Sequence, residues 1–296
     1  MQFLVGKTAQ DNAILVQYAS ERFAARVAAE KAAIASGKPT HRKDFMHYLL
    51  NSHDPKTGWK PSETELKSDS LLLIGAGADT IATTVSAILF YLLRNPATLE
   101  RAKAEVRANF ASLEEIKNGP NMERCVYLQA VVEETLRLAS PVQASLPREA
   151  MAGGVLIDGV HVPAGTVVGA SAYTLHHDAG VFAKPWVFAP ERWIVDEEKG
   201  VTAESVRRQV LAMSPFSHGS RGCIGKALAY IELRDITAHI LFLYDVREVE
   251  GKKVGGGGEG LELGREKVDE YQIFDCFAAD REGPVVQFKR REGLPV

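Results

Sequence analysis

The sequence predicts a mainly α fold with a small β region (α+β), and three features of it point that way. Segments rich in Ala, Leu, Glu, Arg and Lys with helical spacing fill most of the first 140 residues. The middle of the chain carries short strand-like pieces separated by Asp-Gly and Pro-Ala-Gly turns. A long apolar helix then follows a glycine-rich loop near residue 222.

Taken in order, residues 13–35 form the first predicted helix, broken at Gly37-Lys38-Pro39. A short helix over 44–50 ends in the turn-rich stretch 51–60. Ser62-Glu63-Thr64-Glu65 has the capping-box pattern and starts a long helix that reaches about Arg94. Asn95-Pro96 closes it and opens the next helix, to about Phe110. Residues 127–138 form a further helix, stopped before Pro141. Leu156-Ile157-Asp158-Gly159-Val160 reads as a hairpin with its tight turn at Asp158-Gly159. Pro163-Ala164-Gly165 turns the chain into a strand over 166–170. Residues 184–216 read as irregular and proline-marked, and 224–243 as helix. The glycine run 255–258 reads as a flexible loop on a hairpin excursion, followed by strands over 271–277 and 285–288. There is no internal repeat, and residues 1–296 are expected to form a single domain.

With 296 residues, 46% of them hydrophobic and 25% charged, the chain can bury a substantial core. A net charge of -3 excludes a general attraction to nucleic acid. Cys125, Cys223 and Cys276 are too few and too scattered for a disulfide framework or a structural zinc site, which fits a reducing compartment. Lys7, Gln10, Asp11 and Asn12 interrupt the first sixteen residues, so these read neither as a signal peptide nor as a membrane span. No other uncharged run reaches the length of a membrane helix.

The chemistry concentrates in Phe216-Ser217-His218-Gly219-Ser220-Arg221-Gly222-Cys223-Ile224-Gly225. A lone cysteine is more often an inert buried thiol. Here Gly219 and Gly225 let the backbone pass close to a flat macrocycle, and Phe216 supplies a ring to pack near it. A thiolate at Cys223 can then ligate haem iron, close to the positive end of the following helix. The long helix holds Gly75-Ala76-Gly77-Ala78-Asp79-Thr80 in its middle, where each glycine costs about 1 kcal/mol relative to alanine. Either helices pack closely there, or a widened groove leaves room for a small ligand beside the polar pair Asp79 and Thr80. Glu134 and Arg137 share a helix face, a spacing that by itself describes an ordinary exposed ion pair. His161, His176 and His177 show no metal-ligand spacing and read as structural.

Four signatures run in order through residues from about 60 to 245: Ala-Gly-x-Asp-Thr, Glu-x-x-Arg, Pro-Glu-Arg and the cysteine loop. Together they resemble the cytochrome P450 family. Phe216, Gly219, Arg221, Cys223 and Gly225 match every fixed position of that family's cysteine signature. Ala76, Gly77, Asp79 and Thr80 match its oxygen-activating motif, with Ile81 in place of the second hydroxyl residue. The ending Gly283-Pro284-Val285-Val286-Gln287-Phe288 is similar to that of filamentous-fungal members, which often act in secondary metabolism.

The resemblance implies a P450-like fold around haem b, with Cys223 as axial iron ligand and Asp79 and Thr80 as proton relay. It implies a monooxygenase that inserts one atom of O2 into a small apolar organic substrate. Arg148, Arg221 and His218 become partners for the haem propionates. Glu134, Arg137 and Arg192 become a buried structural triad. Residues 142–146 and the helix face at Leu73, Ala76 and Gly77 are expected to line the substrate pocket, and the turn at Cys276 and Phe277 to flank it. Electrons would come from NADPH through NADPH-cytochrome P450 reductase, docking near Lys226, Arg234 and Arg124. Two alternatives stay open: a haem-thiolate isomerase or dehydratase that uses no reductase, and an inactive fragment. Family members of this type are longer and begin with a membrane anchor, which places the full-length enzyme on the cytosolic face of the endoplasmic reticulum. The chain in hand is expected to be an N-terminally truncated, soluble portion.

Overall fold

The computed structural model describes residues 2–37, 43–276 and 279–293. The chain divides into two units, 1–78 and 79–296, described in turn.

In the first unit, helix α1 (Gln2–Ala35) begins earlier than the predicted 13–35, and α2 (Phe45–Leu50) follows. The predicted break at Lys38-Pro39 lies outside the described residues. Phe23 and Val27, four apart on one face of α1, pack with Leu66, Met46, Leu49 and Leu50. Polar groups tie the same helices together. Arg26 Nε donates to Asp44 Oδ2 at 2.9 Å, and the buried Glu30 meets Arg26 at 2.8 Å and His47 at 2.7 Å. Asp44 caps α2 by accepting from the His47 amide at 3.0 Å. Helix α3 (Glu63–Arg94) starts with a reciprocal capping box. Ser62 Oγ accepts from the Glu65 amide at 3.3 Å, and Glu65 Oε2 accepts from the Ser62 amide at 2.7 Å.

In the second unit, the later part of α3 is buried almost completely from Ala87 to Leu92. Around it lie α4 (Pro96–Asn109), α5 (Pro120–Glu123), α6 (Val126–Leu138), α7 (Ala172–His176), α8 (Ala203–Ala212) and α9 (Lys226–Leu243). Helices α4, α6 and α9 pack against one another, and Leu99, Val106, Leu128, Val131, Leu233 and Phe242 fill the space between them. At about 25 cal/mol per Å² of apolar surface removed from water, this cluster is the main source of the unit's stability. Among the described residues, α3 is the one helix long and apolar enough to cross a membrane. Asp79 interrupts its apolar run, which is why the sequence shows no uncharged stretch of that length.

The β region is small, as predicted. Strand β1 (Arg148–Glu149) pairs antiparallel with β4 (Val167–Val168), which is shorter than the expected 166–170. Strands β2 (Val155–Ile157) and β3 (Val160–Val162) form the predicted hairpin. Its turn residues have φ 46° at Asp158 and 77° at Gly159, the two positive values that a type I′ turn requires. Strand β5 (Tyr244–Glu248) pairs with β8 (Val286–Arg290), with Val246 opposite Phe288. Strand β6 (Ile273–Phe274) pairs with β7 (Asp280–Arg281).

Two expectations are corrected. Residues 184–216 are not irregular throughout, since α8 lies inside them, capped by Thr202 Oγ1 accepting from the Ser205 amide at 3.1 Å. The glycine run 255–258 is a built crossing rather than a flexible loop. The Gly257 amide donates to Lys267 O at 3.1 Å and the Gly258 amide to Arg265 O at 2.9 Å. A Cβ at Gly257 would lie 2.4 Å from both carbonyl oxygens, so the approach of the backbones demands glycine there.

Candidate functional site

The cysteine loop spans the gap between α8 and α9, and its own backbone shapes it. Ser217 and Gly219 take φ of 56° and 73°, the left-handed region. The Cys223 amide donates to Phe216 O at 2.8 Å, and the Gly222 amide to Gly219 O at 3.0 Å. These bonds present Cys223 at the surface, with α9 beginning three residues later. The sulfur lies at the N-terminal end of that helix: a Cβ at its N-cap, Gly225, would stand 3.7 Å from Cys223 Sγ. Ile224 stands beside it 94% exposed, and Leu228 is exposed one turn into α9.

A soft sulfur donor next to bare apolar side chains suits an iron porphyrin. The cations agree with that. Arg221 and Arg148 are both exposed, and among the described residues neither makes an ion pair. Arg148 Nη1 donates only to the preceding carbonyl, Pro147 O, at 2.9 Å. Two uncommitted guanidinium groups are what a pair of carboxylates would require. The residues present fit the haem that the cysteine signature implies.

Phe216 and His218 line a recess of about 220 Å³ together with Gln129, Glu133, Lys226 and Tyr230. Phe216 packs on Tyr230 with centroids 5.2 Å apart, and Gly225 occupies the N-cap of α9. Glu133 accepts from Tyr230 Oη at 2.9 Å and from Gln129 Nε2 at 2.8 Å. Burial raises the pKa of Glu133 above the usual carboxylate range. Of the expected docking cations, Lys226 is exposed near the Phe216 ring. Arg124 bonds Asn121, and Arg234 bonds Asn118 Oδ1 at 3.2 Å.

In α3, Asp79 is half-exposed and accepts from Arg281 Nη1 at 3.1 Å. The backbone beside it is tied down by two threonines: Thr83 Oγ1 donates to Asp79 O at 2.9 Å, and Thr84 Oγ1 to Thr80 O at 2.9 Å. The α-helix continues through residues 75–80. Among the described residues, a Cβ at Gly75 or Gly77 would meet nothing within 4 Å. Leu73, Ala76 and Gly77 are exposed on α3. Residues 142–146 are mostly half-buried, held where Gln143 O accepts from the Tyr173 amide and from Ser171 Oγ. Cys276 is exposed, and Phe277 lies outside the described residues.

Glu134, Arg137 and Arg192 meet in the interior. Glu134 Oε1 accepts from Arg137 Nη2 at 2.8 Å, the Ala189 amide at 2.9 Å and Arg192 Nε at 3.0 Å. Its Oε2 accepts from Arg137 Nε and from Trp193 Nε1, both at 2.9 Å. Burial pushes the Glu134 pKa up, but the two guanidinium groups outweigh it and hold the carboxyl below its usual range. Both arginines then reach outward to carbonyls that have no helix or sheet partner. Arg137 Nη1 donates to His176 O at 2.9 Å and Pro185 O at 2.6 Å, and Arg192 Nη1 to Ala183 O at 3.0 Å. The triad therefore organises the segment that precedes the cysteine loop. His176 is buried beside it, while His161 lies exposed in β3. No group of three potential metal ligands occurs among the described residues.

Sequence reasoning missed the roles of Trp193, Thr83 and Arg281. The first adjoins the Pro-Glu-Arg string and could have been noticed. Nothing in the sequence links Arg281 to a residue 202 positions away.

The site thus combines an exposed cysteine on a glycine-shaped loop ahead of an apolar helix with a buried Glu-Arg-Arg network bracing the approach to it. The family model for cytochrome P450 matches residues 1–256. The chain is 38% identical over 257 residues to a cytochrome P450 monooxygenase of Gibberella zeae, covering 86% of this chain and 58% of that one. It is 36% identical over 293 residues to cytochrome P450 monooxygenase fscF of Fusarium equiseti, covering 97% and 53%. It is 35% identical over 280 residues to cytochrome P450 monooxygenase lcsN of Purpureocillium lilacinum, covering 94% and 80%. The chain belongs to the cytochrome P450 family. It spans 58% and 53% of the length of the first two of these relatives.

Proposed function

We propose that this chain carries the haem-thiolate centre of a monooxygenase, with Cys223 as the axial ligand of haem b. One observation carries the reading: the Cys223 thiol stands exposed on a loop fixed by left-handed Ser217 and Gly219, directly ahead of α9. Bound haem would supply the activation of dioxygen, which no side chain can perform. Arg221 and Arg148 hold its carboxylates, with His218 as a third partner, while Phe216, Gly219 and Gly225 shape the loop around the ligand. Asp79 and Thr80 hold and pass protons. The overall reaction is RH + O2 + NADPH + H+ → ROH + H2O + NADP+, on a small apolar substrate. Electrons come through NADPH-cytochrome P450 reductase. The enzyme works on the endoplasmic reticulum membrane, and the resemblance of residues 283–288 to the endings of filamentous-fungal members favours a role in secondary metabolism.

The test is to load the protein with haem, reduce it under carbon monoxide and record the Soret band. A strongly red-shifted band is expected, and Cys223→Ser should abolish it. Survival of the shift in that variant would show another ligand and refute the assignment. A separate measurement addresses docking. Lys226→Glu should slow reduction by the reductase about tenfold, with a larger effect at low ionic strength. Equal rates at every salt concentration would move the docking face elsewhere.

A further inference from the structure

We propose that Arg281 is a positioning residue for Asp79, holding this carboxylate against the C-terminal hairpin and so governing its use in proton transfer. The inference rests on the reading of Asp79 and Thr80 as the relay. Arg281 Nη1 lies 3.1 Å from Asp79 Oδ1, and the arginine is the better covered of the two, its side chain 21% exposed against 49% for the aspartate. A guanidinium that is largely covered needs a fixed acceptor, and Asp79 supplies it.

The backbone that delivers Arg281 is anchored on both sides. Strands β6 and β7 pair over only two residues each, too few to hold a position by themselves. Docking does it instead. Thr83 Oγ1, one turn beyond Asp79, shares its one hydrogen between Asp79 O at 2.9 Å and Ala279 O at 3.3 Å. The Ala279 amide donates to Pro141 O at 2.8 Å, and Ala279 is buried. On the far side, Tyr271 Oη donates to Gly283 O at 2.7 Å. Arg281 therefore sits midway between two fixed points. Among the described residues neither adjacent carboxylate, Asp280 nor Glu282, forms an ion pair with it, and Asp280 Oδ1 accepts the Arg281 backbone amide at 2.8 Å. The guanidinium reaches past its neighbour to a helix 202 residues earlier in the chain.

A carboxylate gripped by a guanidinium is held oriented. It can pass a proton onward only as that grip loosens, so the hairpin's position becomes part of proton delivery. When delivery fails, electrons leave as hydrogen peroxide (O2 + 2e− + 2H+ → H2O2) rather than in product and water.

Arg281→Gln, Arg281→Lys and Asp79→Asn are compared in the haem-loaded full chain with its reductase, reading the peroxide-to-product ratio and the solvent isotope effect. Amide hydrogen exchange over residues 79–83 and 279–281 is followed in parallel. Arg281→Gln should raise the peroxide-to-product ratio about tenfold and enlarge the isotope effect, a smaller change than loss of the relay group itself would bring. It should also quicken exchange in both segments together, and Arg281→Lys should recover most of each change. Faster exchange with an unchanged ratio would make Arg281 a brace only and overturn the proposal. An impaired Asp79→Asn beside a wild-type-like Arg281→Gln would overturn the proposal and leave the relay standing. A wild-type ratio in Asp79→Asn would remove the relay itself, and this inference with it.

Discussion

Glu134→Ala is expected to lose about 3–5 kcal/mol of folding stability, the usual result of stripping a buried ion pair of one partner. A domain's whole stability is about 5–15 kcal/mol, so the loss would take a large fraction of it. The reason is local and specific. The two oxygens of Glu134 accept five hydrogen bonds, and its removal leaves Arg137 and Arg192 facing each other without a counter-charge. Trp193 Nε1 and the Ala189 amide lose their acceptors as well. The damage then spreads, because the same arginines hold the carbonyls of His176, Ala183 and Pro185. Glu134→Gln keeps the shape but turns an amide donor toward donors, so it should rescue little. Urea unfolding followed by circular dichroism measures the loss. As a comparison, the exposed pair Lys289–Glu292 can be broken with no detectable shift in midpoint. If Glu134→Ala unfolds at the wild-type urea concentration, the triad is not what organises this region.

The second large effect is acid sensitivity. Burial lowers His176 to about 4 and His177 to about 4, from an ordinary value of 6.5. His176 is satisfied while neutral: Nδ1 lies 3.2 Å from Arg137 O, and Nε2 accepts from the Ser214 amide at 2.9 Å. His177 stacks on Trp186, with Nδ1 on Tyr173 O and its buried Nε2 without a partner. Between pH 6.5 and about 4 the unfolded chain binds more protons at these two sites than the folded one. Stability is therefore full above 6.5, falls as the pH drops through that window, and levels off below about 4 for these groups. Each histidine contributes about 3 kcal/mol to the fall. Glu134 adds a loss at still lower pH, since its depressed pKa gives stability that is present above the ordinary carboxylate value and lost on protonation. Urea unfolding at a series of pH values gives the slope. His177→Phe keeps a ring against Trp186 and removes one titration, so its slope should be shallower. An unaltered slope in that variant would place the acid sensitivity elsewhere.

Much of the fold was legible because its signals are local. The capping box at Ser62 and Glu65, the Asn95-Pro96 junction and the Asp158-Gly159 turn each act within a few residues, and the structure contains all three. Helix α8 was missed because it is short and polar on the whole, and it leaves Val210 and Leu211 exposed while burying only Gln209. The glycine run at 255–258 reads as flexible in isolation. Its rigidity comes from Arg265 and Lys267 passing 2.4 Å from where a Cβ would stand at Gly257.

The sequence by itself determined which residues are candidates for chemistry. The cysteine loop and the Glu-x-x-Arg and Pro-Glu-Arg strings are short, and residue type fixes what each can ligate, donate or accept. Only the tertiary structure decided which groups meet. It took the folded chain to put Arg192 and Trp193 on Glu134 across 58 and 59 residues, and Arg281 on Asp79 across 202. It also decided which charges are buried and which stay open, as at Arg148 and Arg221. Hydrogen bonds and ion pairs act over a few ångströms, and no spacing rule in a linear chain encodes a distance that exists only after packing.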